Sequence, residues 1–205
     1  MVLLILIISF IIFTSIIIKY YPTVTLWDST LISIVQKQLN FIPIWIPTMF
    51  DSKLYATMII IPLCIVWTYL FIKKRYFDIA FIGTVPLVTY GIGSILKNIV
   101  ERPRPAIELQ ISVHPDSFSY VSNHTLITFV FLGMIIFYLF NYCENKLIRN
   151  ITTTFAGIWI LLMGFSRIWL GVHNPTDILG AFLLGTILLV IFIKVREFFE
   201  KYIGL

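Results

Sequence analysis

The sequence predicts an all-α membrane protein whose helices cross the bilayer several times. Hydrophobic residues make up 59% of the 205 residues and charged residues only 12%, about half the charged share of an ordinary soluble domain. The apolar residues form continuous runs rather than the alternating pattern of a strand, and about 20 such residues span a membrane as a helix. Because only helices and closed barrels satisfy every backbone polar group in lipid, we interpret the runs as helices.

Six apolar runs are candidate membrane helices. They lie at roughly 2–18, 54–72, 77–96, 125–142, 151–166 and 175–193. The first run has no Lys or Arg before it and no small-residue cleavage site after it, so we expect a retained helix rather than a signal peptide. The chain, residues 1–205, is therefore expected to form a single transmembrane domain with no room for a separate soluble one.

The longest connection, residues 22–53, leaves two interpretations open. It contains three prolines and several large aromatic residues, among them Trp27 and Trp45. Residues 26–42 could lie as an amphipathic helix at the membrane interface. Alternatively, the whole segment could be a loop with aromatic anchors.

The distribution of Lys and Arg predicts the orientation in the membrane. Eight basic residues lie at one set of run ends and seven at the other, and three of those seven belong to the polar segments described below. The remaining bias of eight to four places both termini in the cytoplasm. The loops 97–124 and 167–174 then share the extracytoplasmic face. This distribution also explains the net charge of +5 without a nucleic-acid partner, and nothing indicates an obligatory protein partner.

Three polar segments stand out, because membrane proteins rarely carry such residues without a function. They read Lys97-x6-Arg104-Pro105, Ser122-Asn123-His124 and Ser166-Arg167-x5-His173-x3-Asp177. Guanidinium forks and an ammonium group match phosphate oxygens, and phosphoryl transfer is catalysed mainly by positioning and electrostatic stabilisation. The segments therefore predict a site that binds a phosphoryl group, and the apolar surroundings indicate the phosphate of a lipid. The neighbouring Arg102 is left open between a supporting role, a head-group contact and no role.

Both histidines lie at predicted helix starts. Ser122 is a candidate N-cap before the fourth run, where free amides form an anion site, and His124 follows within the first turn. At the last run, Pro175 suits the first helical position. Asp177 can then accept a hydrogen bond from one nitrogen of His173 and leave the other unprotonated and aimed at phosphorus.

These segments resemble the type-2 phosphatidic acid phosphatase family, integral-membrane lipid phosphatases related to vanadium haloperoxidases. Of the family pattern K-x6-RP, PSGH and SR-x5-H-x3-D, the first and third motifs match in full. The resemblance implies that His173 attacks phosphorus to form a phosphohistidine, that Asp177 holds His173, and that His124 protonates the leaving oxygen. It implies no metal or other cofactor. The implied phosphate-binding groups are backbone amides and the side chains of Lys97, Arg104, Ser122 and Arg167.

The middle motif departs from the pattern, with Val121 for Pro and Asn123 for Gly. Gly permits positive φ and a close backbone approach to an anion. Asn tolerates left-handed geometry next best, but its side chain takes space beside the phosphate. The amide of Asn123 can still donate, so Asn123 is included among the phosphate-binding residues. We expect weakened activity or an altered choice of substrate.

The predicted substrate is undecaprenyl diphosphate, which suits an outward-facing site; phosphatidylglycerol phosphate and phosphatidic acid are the alternatives. A different class also stays open, a weak or inactive homologue that binds or transports lipids, for which Asn123 is the support. A haloperoxidase does not explain six spans. A zinc site built from His114, His124 and His173 lacks the H-x-x-x-H spacing, and a serine hydrolase lacks G-x-S-x-G.

Overall fold

The structure is a computed structural model that describes residues 1–50, 53–111 and 115–203. Its helices are α1 (Val2–Lys19), α2 (Tyr21–Gln38), α3 (Trp45–Thr48), α4 (Lys53–Ile72), α5 (Tyr76–Val100), a 3-10 helix (Ile107–Leu109), α6 (Asn123–Tyr142), α7 (Lys146–Trp169) and α8 (Pro175–Ile203). Within the described ranges six of them, α1 and α4 to α8, are long and apolar enough to cross a membrane, and there is no strand. The predicted fold class and the six candidate spans are confirmed.

Several helices extend beyond the apolar runs that predicted them. Helix α7 begins at Lys146 rather than near 151, and α8 continues to Ile203 rather than ending near 193. Hydropathy marks only the apolar part of a helix, whereas polar residues continue the same backbone. At the start of α7, the side chain of Asn145 accepts hydrogen bonds from the amides of Leu147 and Ile148, which is an N-cap that hydropathy does not detect.

Most of the segment 22–53 is helical, so the two interpretations left open resolve toward a helix. Helix α2 begins earlier than expected, at Tyr21, and ends at Gln38; residues 51–52 lie outside the described part. It packs against α1, α7 and α8. The Gln36 amide donates to the backbone oxygens of Leu109 at 2.8 Å and Trp169 at 2.9 Å, which ties α2 to the end of the bundle that carries the polar segments.

Helix α6 lies at the centre of the bundle. It packs against α5, α7 and α8, and its side chains Leu126, Val130, Phe131 and Met134 are fully buried. Helix α4 lies further out and contacts mainly α5. Since α6 runs antiparallel to its chain neighbours, its N-terminus lies beside the C-terminal ends of α5 and α7, where the polar segments are located.

A partly buried ion cluster joins the helices at the opposite end of the bundle. Asp78, at the start of α5, accepts from Arg75 at 2.5 Å, from Arg196 at 3.1 Å and from the Tyr138 hydroxyl at 2.8 Å. Glu200 pairs with the Arg75 guanidinium at 2.9 Å. The charges of Arg75 and Arg196 therefore balance those of the buried Asp78 and of Glu200, whose side chain is 34% exposed, so no buried charge is left uncompensated.

Candidate active site

The three polar segments meet at one pocket of about 360 Å³. The end of α5, the start of α6 and the connection between α7 and α8 all contribute to its wall. Among the described residues, those singled out by the sequence that line it are Lys97, Arg104, Asn123, His124, Arg167 and His173. Ser122 and Asp177 are fully buried behind the wall. His114 lies outside the described residues.

His173 is held in the connection between α7 and α8 and is 3% exposed. Its Nδ1 lies 3.5 Å from Asp177 Oδ2, and its Nε2 lies 3.4 Å from an Arg104 nitrogen at the pocket. Burial lowers the pKa of His173 to about 3, against the attraction of Asp177, and the charges of Lys97 and Arg104 lower it as well. The imidazole is therefore neutral near pH 7. With the proton placed on Nδ1, toward Asp177, Nε2 is unprotonated and its lone pair accepts from Arg104.

The Asp177 carboxylate is fixed by donors on both oxygens. Oδ2 accepts from the Ser119 hydroxyl and from the Asn174 amide at 2.8 Å, and Oδ1 accepts from Arg102 at 2.5 Å. Through the bond to the Asn174 amide, Asp177 reaches back across the N-terminus of α8. The carboxylate cannot rotate away from His173 without breaking these bonds, so it is placed to orient the imidazole.

Arg102, which the sequence left open, is buried and paired on two sides. It is 2% exposed and binds Asp177 and, at 2.7 Å, Asp28 of α2. Asp28 also accepts from the amide of Thr176 at 3.1 Å and from its hydroxyl at 2.6 Å. Asp28 was not predicted from the sequence as a site residue. One signal was present, because Asp28 is the sole acidic residue of positions 1–50 and an ionisable residue in an apolar segment is usually functional or paired.

Lys97 and Arg167 bring positive charge to the pocket from α5 and α7. The Lys97 ammonium donates to the backbone oxygens of Phe118 at 2.5 Å and Ser119 at 3.3 Å. Arg167 is 1% exposed, and its Nε donates to the Ser166 hydroxyl at 3.3 Å. Both cations are thus oriented before any substrate binds, which favours tight binding of an anion.

Arg104 supplies a third positive charge and joins two loops. Its guanidinium donates to the Ser117 backbone oxygen at 2.7 Å, to the Ser117 hydroxyl at 3.0 Å and to the Val172 backbone oxygen at 2.5 Å. The loop after α5 is therefore fastened to the residue that precedes His173. Together with Lys97 and Arg167, this arrangement suits a multiply charged anion in contact with the His173 Nε2.

Helix α6 begins as predicted, with Ser122 at the N-cap position. The Ser122 side chain makes no capping hydrogen bond; it accepts from the Thr125 hydroxyl at 3.2 Å and is fully buried. Its hydroxyl therefore does not line the pocket. The residues of this segment that line the pocket are Asn123 and His124, at the N-terminus of α6, where backbone amides point out of the helix toward an anion.

Asn123 does not adopt the left-handed backbone conformation that the Gly of the family motif suggested for this position. It is the first residue of α6, and among the described non-glycine residues positive φ occurs at Lys74 and Glu101, not at Asn123. The nitrogen of its side-chain amide, Nδ2, donates to the Ser94 hydroxyl at 3.1 Å. Its oxygen lies over Gly93, where an added Cβ would be only 2.1 Å away. The missing side chain of Gly93 is thus what accommodates the amide of Asn123.

His124 lines the pocket on the side of α4. Its ring centroid lies 4.5 Å from that of Tyr55, with the planes tilted by 53°. Aromatic contacts of this kind contribute about 0.5–1.5 kcal/mol and restrict the orientation of the imidazole. Tyr55 was not selected from the sequence, because one tyrosine at the start of an apolar run carries no motif.

We expect Gly93→Ala to lower activity by about tenfold, because overpacking costs roughly 1–3 kcal/mol and the new methyl group displaces Asn123 from the wall of the pocket. Asn123→Gly alone should stay within about twofold of wild type, since no positive φ is required. The double variant Gly93→Ala/Asn123→Gly should recover most of the loss, measured as phosphate release. A double variant no better than Gly93→Ala would contradict this packing relationship.

Comparison with known proteins identifies the family. A model of the PAP2 superfamily matches residues 78–201. Phosphatidylglycerophosphatase B of Bacillus subtilis (strain 168) is 31% identical over 160 residues, which are 73% of this chain and 72% of that protein. Lipid phosphate phosphatase delta of Arabidopsis thaliana is 25% identical over 122 residues, or 55% of this chain and 29% of that protein.

The fold also has a solved counterpart, the crystal structure of the first transmembrane PAP2 type phosphatidylglycerolphosphate phosphatase from Bacillus subtilis. It superposes with a TM-score of 0.77 at 24% identity, over 95% of this chain and 96% of that one. At this identity the likeness shows the fold, whereas the family match covers more than half of the chain and agrees with the resemblance seen in the motifs. The chain belongs to the PAP2 superfamily.

Proposed function

We propose that this membrane lipid phosphatase transfers a phosphoryl group from its lipid substrate to His173 and then to water. The observation that carries the proposal is the buried position of His173, whose Nε2 lies 3.4 Å from Arg104 in a pocket that Lys97 and Arg167 also line. An unprotonated nitrogen beside fixed cations is what attack on a phosphate anion requires.

In the first step the cations bind the phosphoryl oxygens, assisted by backbone amides at the start of α6. The His173 Nε2 attacks phosphorus, and the bond between phosphorus and the lipid oxygen breaks. His124 donates its proton to the departing oxygen. The product is a phosphorylated imidazolium that keeps its proton on Nδ1, toward Asp177.

In the second step water replaces the imidazole on phosphorus. His124, now neutral, accepts a proton from the attacking water, the N–P bond breaks and inorganic phosphate leaves. His124 is thereby protonated again and His173 returns to its neutral form. Every proton is accounted for, and positioned side chains supply the acid, the base and the nucleophile.

Two lipids are the leading substrates. Phosphatidylglycerophosphate is favoured by the name of the Bacillus relative and by a polar wall of Tyr90, Ser94 and Asn98 along one face of α5, which suits a hydroxylated head group beside the phosphate. Undecaprenyl diphosphate, the substrate predicted from the sequence, is favoured by the charge bias that places the pocket outside the cell.

A phosphate-release assay on purified protein in detergent tests the function. It compares phosphatidylglycerophosphate, undecaprenyl diphosphate and phosphatidic acid at equal mole fraction. We expect turnover, with phosphatidylglycerophosphate hydrolysed fastest; a higher kcat/KM for undecaprenyl diphosphate would reverse the order of the two leading substrates. Binding of all three lipids without any hydrolysis would instead favour the lipid-binding homologue.

Orthovanadate should inhibit turnover, whereas a chelator should not. Vanadate adopts the five-coordinate geometry of phosphorus in the transition state of phosphoryl transfer. A chelator should have no effect because the cations Lys97, Arg104 and Arg167 supply the positive charge that a metal ion supplies in other phosphatases. The measurement is the initial rate with vanadate or with EDTA, with the lipid dispersed identically in each assay. An absolute requirement for Mg²⁺ or Zn²⁺ would contradict this description of the pocket.

We place the termini in the cytoplasm and the pocket at the extracytoplasmic face. In a background with Cys64→Ser and Cys143→Ser, Glu108→Cys in the 3-10 helix after α5 should react with a membrane-impermeant thiol reagent on intact cells. Lys146→Cys, at the opposite end of the bundle, should react only after permeabilisation. Both positions are exposed, so a reversed labelling pattern would reverse the orientation.

A further inference from the structure

We propose that Asp28, on α2, is a positioning residue for phosphoryl transfer: by sharing the charge of Arg102, it leaves Asp177 a negative charge directed at His173. The inference rests on the function proposed above, in which His173 is the nucleophile. It brings into the reaction a helix that lies outside the three motif-bearing segments.

The side chains form a continuous buried chain from α2 to the pocket. Asp28 Oδ2 lies 2.7 Å from one Arg102 nitrogen, the other Arg102 nitrogen lies 2.5 Å from Asp177 Oδ1, and Asp177 Oδ2 lies 3.5 Å from His173 Nδ1. Their exposed fractions are 1%, 2%, 0% and 3% in that order. Thr176 donates twice to Asp28, so α2 is bound directly to the first turn of α8.

The charges along this row of buried side chains do not cancel. Arg102 carries one positive charge, and Asp28 and Asp177 carry one negative charge each, so one negative charge is left next to His173. Without the Asp28 carboxylate, the Arg102 guanidinium would neutralise Asp177 alone. When His173 becomes a phosphorylated imidazolium, it gains a positive charge in a buried site where charge interactions are strong. The excess negative charge stabilises that intermediate.

The ion cluster at the other end of the bundle shows what a purely structural arrangement looks like. There, Arg75 and Arg196 balance Asp78 and Glu200. Leaving a carboxylate in excess costs stability in a buried position. At the end that carries His173, the cations Lys97, Arg104 and Arg167 line the pocket. The excess carboxylate is confined to the row Asp28–Arg102–Asp177, on the Nδ1 side of His173, where it stabilises the positive charge that forms on the imidazole during turnover.

The test measures the phosphohistidine that accumulates during turnover of ³²P-labelled lipid, trapped by a rapid alkaline quench. Asp28→Asn keeps the size of the side chain and one acceptor oxygen, and it removes the charge. We expect the trapped level to fall about tenfold, the size of effect that loss of a charged partner produces, while KM does not rise. Asp78→Asn, an equally buried change at the other end of the bundle, should leave the level per folded molecule unchanged.

A second variant separates charge from geometry. Asp28→Asn/Arg102→Gln removes one charge of each sign and leaves Asp177 with its own negative charge, so the phosphohistidine level should return to within about threefold of wild type. If Asp28→Asn does not fold, Asp28→Ser takes its place as the variant without the charge: a loss that is restored in Asp28→Ser/Arg102→Gln supports the proposal, and a wild-type level in Asp28→Ser overturns it.

The remaining outcomes are also decisive. A phosphohistidine level in folded Asp28→Asn that equals the wild-type level would overturn the role of Asp28, and so would a parallel loss in Asp78→Asn. Neither result would bear on His173 as the nucleophile. Wild-type protein that releases phosphate without any trapped phosphohistidine would overturn the assignment of His173 as nucleophile, and this inference with it.

Discussion

His173→Ala should abolish phosphate release while the protein remains folded. We expect a loss of about three orders of magnitude or more, because the nucleophile has no substitute at phosphorus. The bundle should tolerate the change, since Asp177 keeps its bonds to Ser119, Asn174 and Arg102. Size-exclusion chromatography and thermal unfolding in detergent, alongside the release assay, separate loss of chemistry from loss of folding.

Asp177→Asn should reduce turnover less than His173→Ala does. An amide can retain the bond to Arg102 only by accepting through its oxygen, and it no longer offers negative charge to the imidazole. The expected loss is smaller than for His173→Ala, because orientation and charge stabilisation are impaired while the nucleophile is still present. Near-wild-type turnover in both variants would contradict a phosphohistidine pathway.

Gly171→Ala should be the second most damaging single change. Gly171 has φ +66°, a left-handed conformation that costs an Ala about 1 kcal/mol or more, and an added Cβ would lie 1.8 Å from the Leu109 backbone oxygen. Relief requires the loop after α5 to separate from the connection between α7 and α8. That movement displaces Val172, which binds Arg104, and with it His173.

We expect Gly171→Ala to reduce turnover at least about a hundredfold and to lower the midpoint of thermal unfolding. Gly157→Ala on α7 is the matched control, because nothing lies within 4 Å of its added Cβ and Ala is the better helix former. Its activity and unfolding midpoint should equal or slightly exceed those of wild type. Indistinguishable results for the two variants would show that the two loops can separate without harm to the site.

The helical architecture and the motif-bearing residues could be predicted because they depend on local patterns. A continuous apolar run specifies a membrane helix wherever it occurs in the chain. The start of α8 at Pro175 follows from short-range backbone chemistry, whereas Ser122 precedes α6 without a capping hydrogen bond from its side chain. Antiparallel connection of successive helices then brings Lys97, His124 and Arg167 to the same end of the bundle.

The partners of those residues could not be predicted, because each pair depends on packing between distant segments. Arg102 and Asp28 are 74 positions apart, and neither has a local pattern that selects the other. The case of Asn123 is similar, since its departure from the family motif is accommodated by Gly93, a glycine on a different helix. Side-chain chemistry along the chain thus determined what the site contains, whereas helix packing decided the orientation and charge environment of His173, because both depend on which buried groups come within hydrogen-bonding distance.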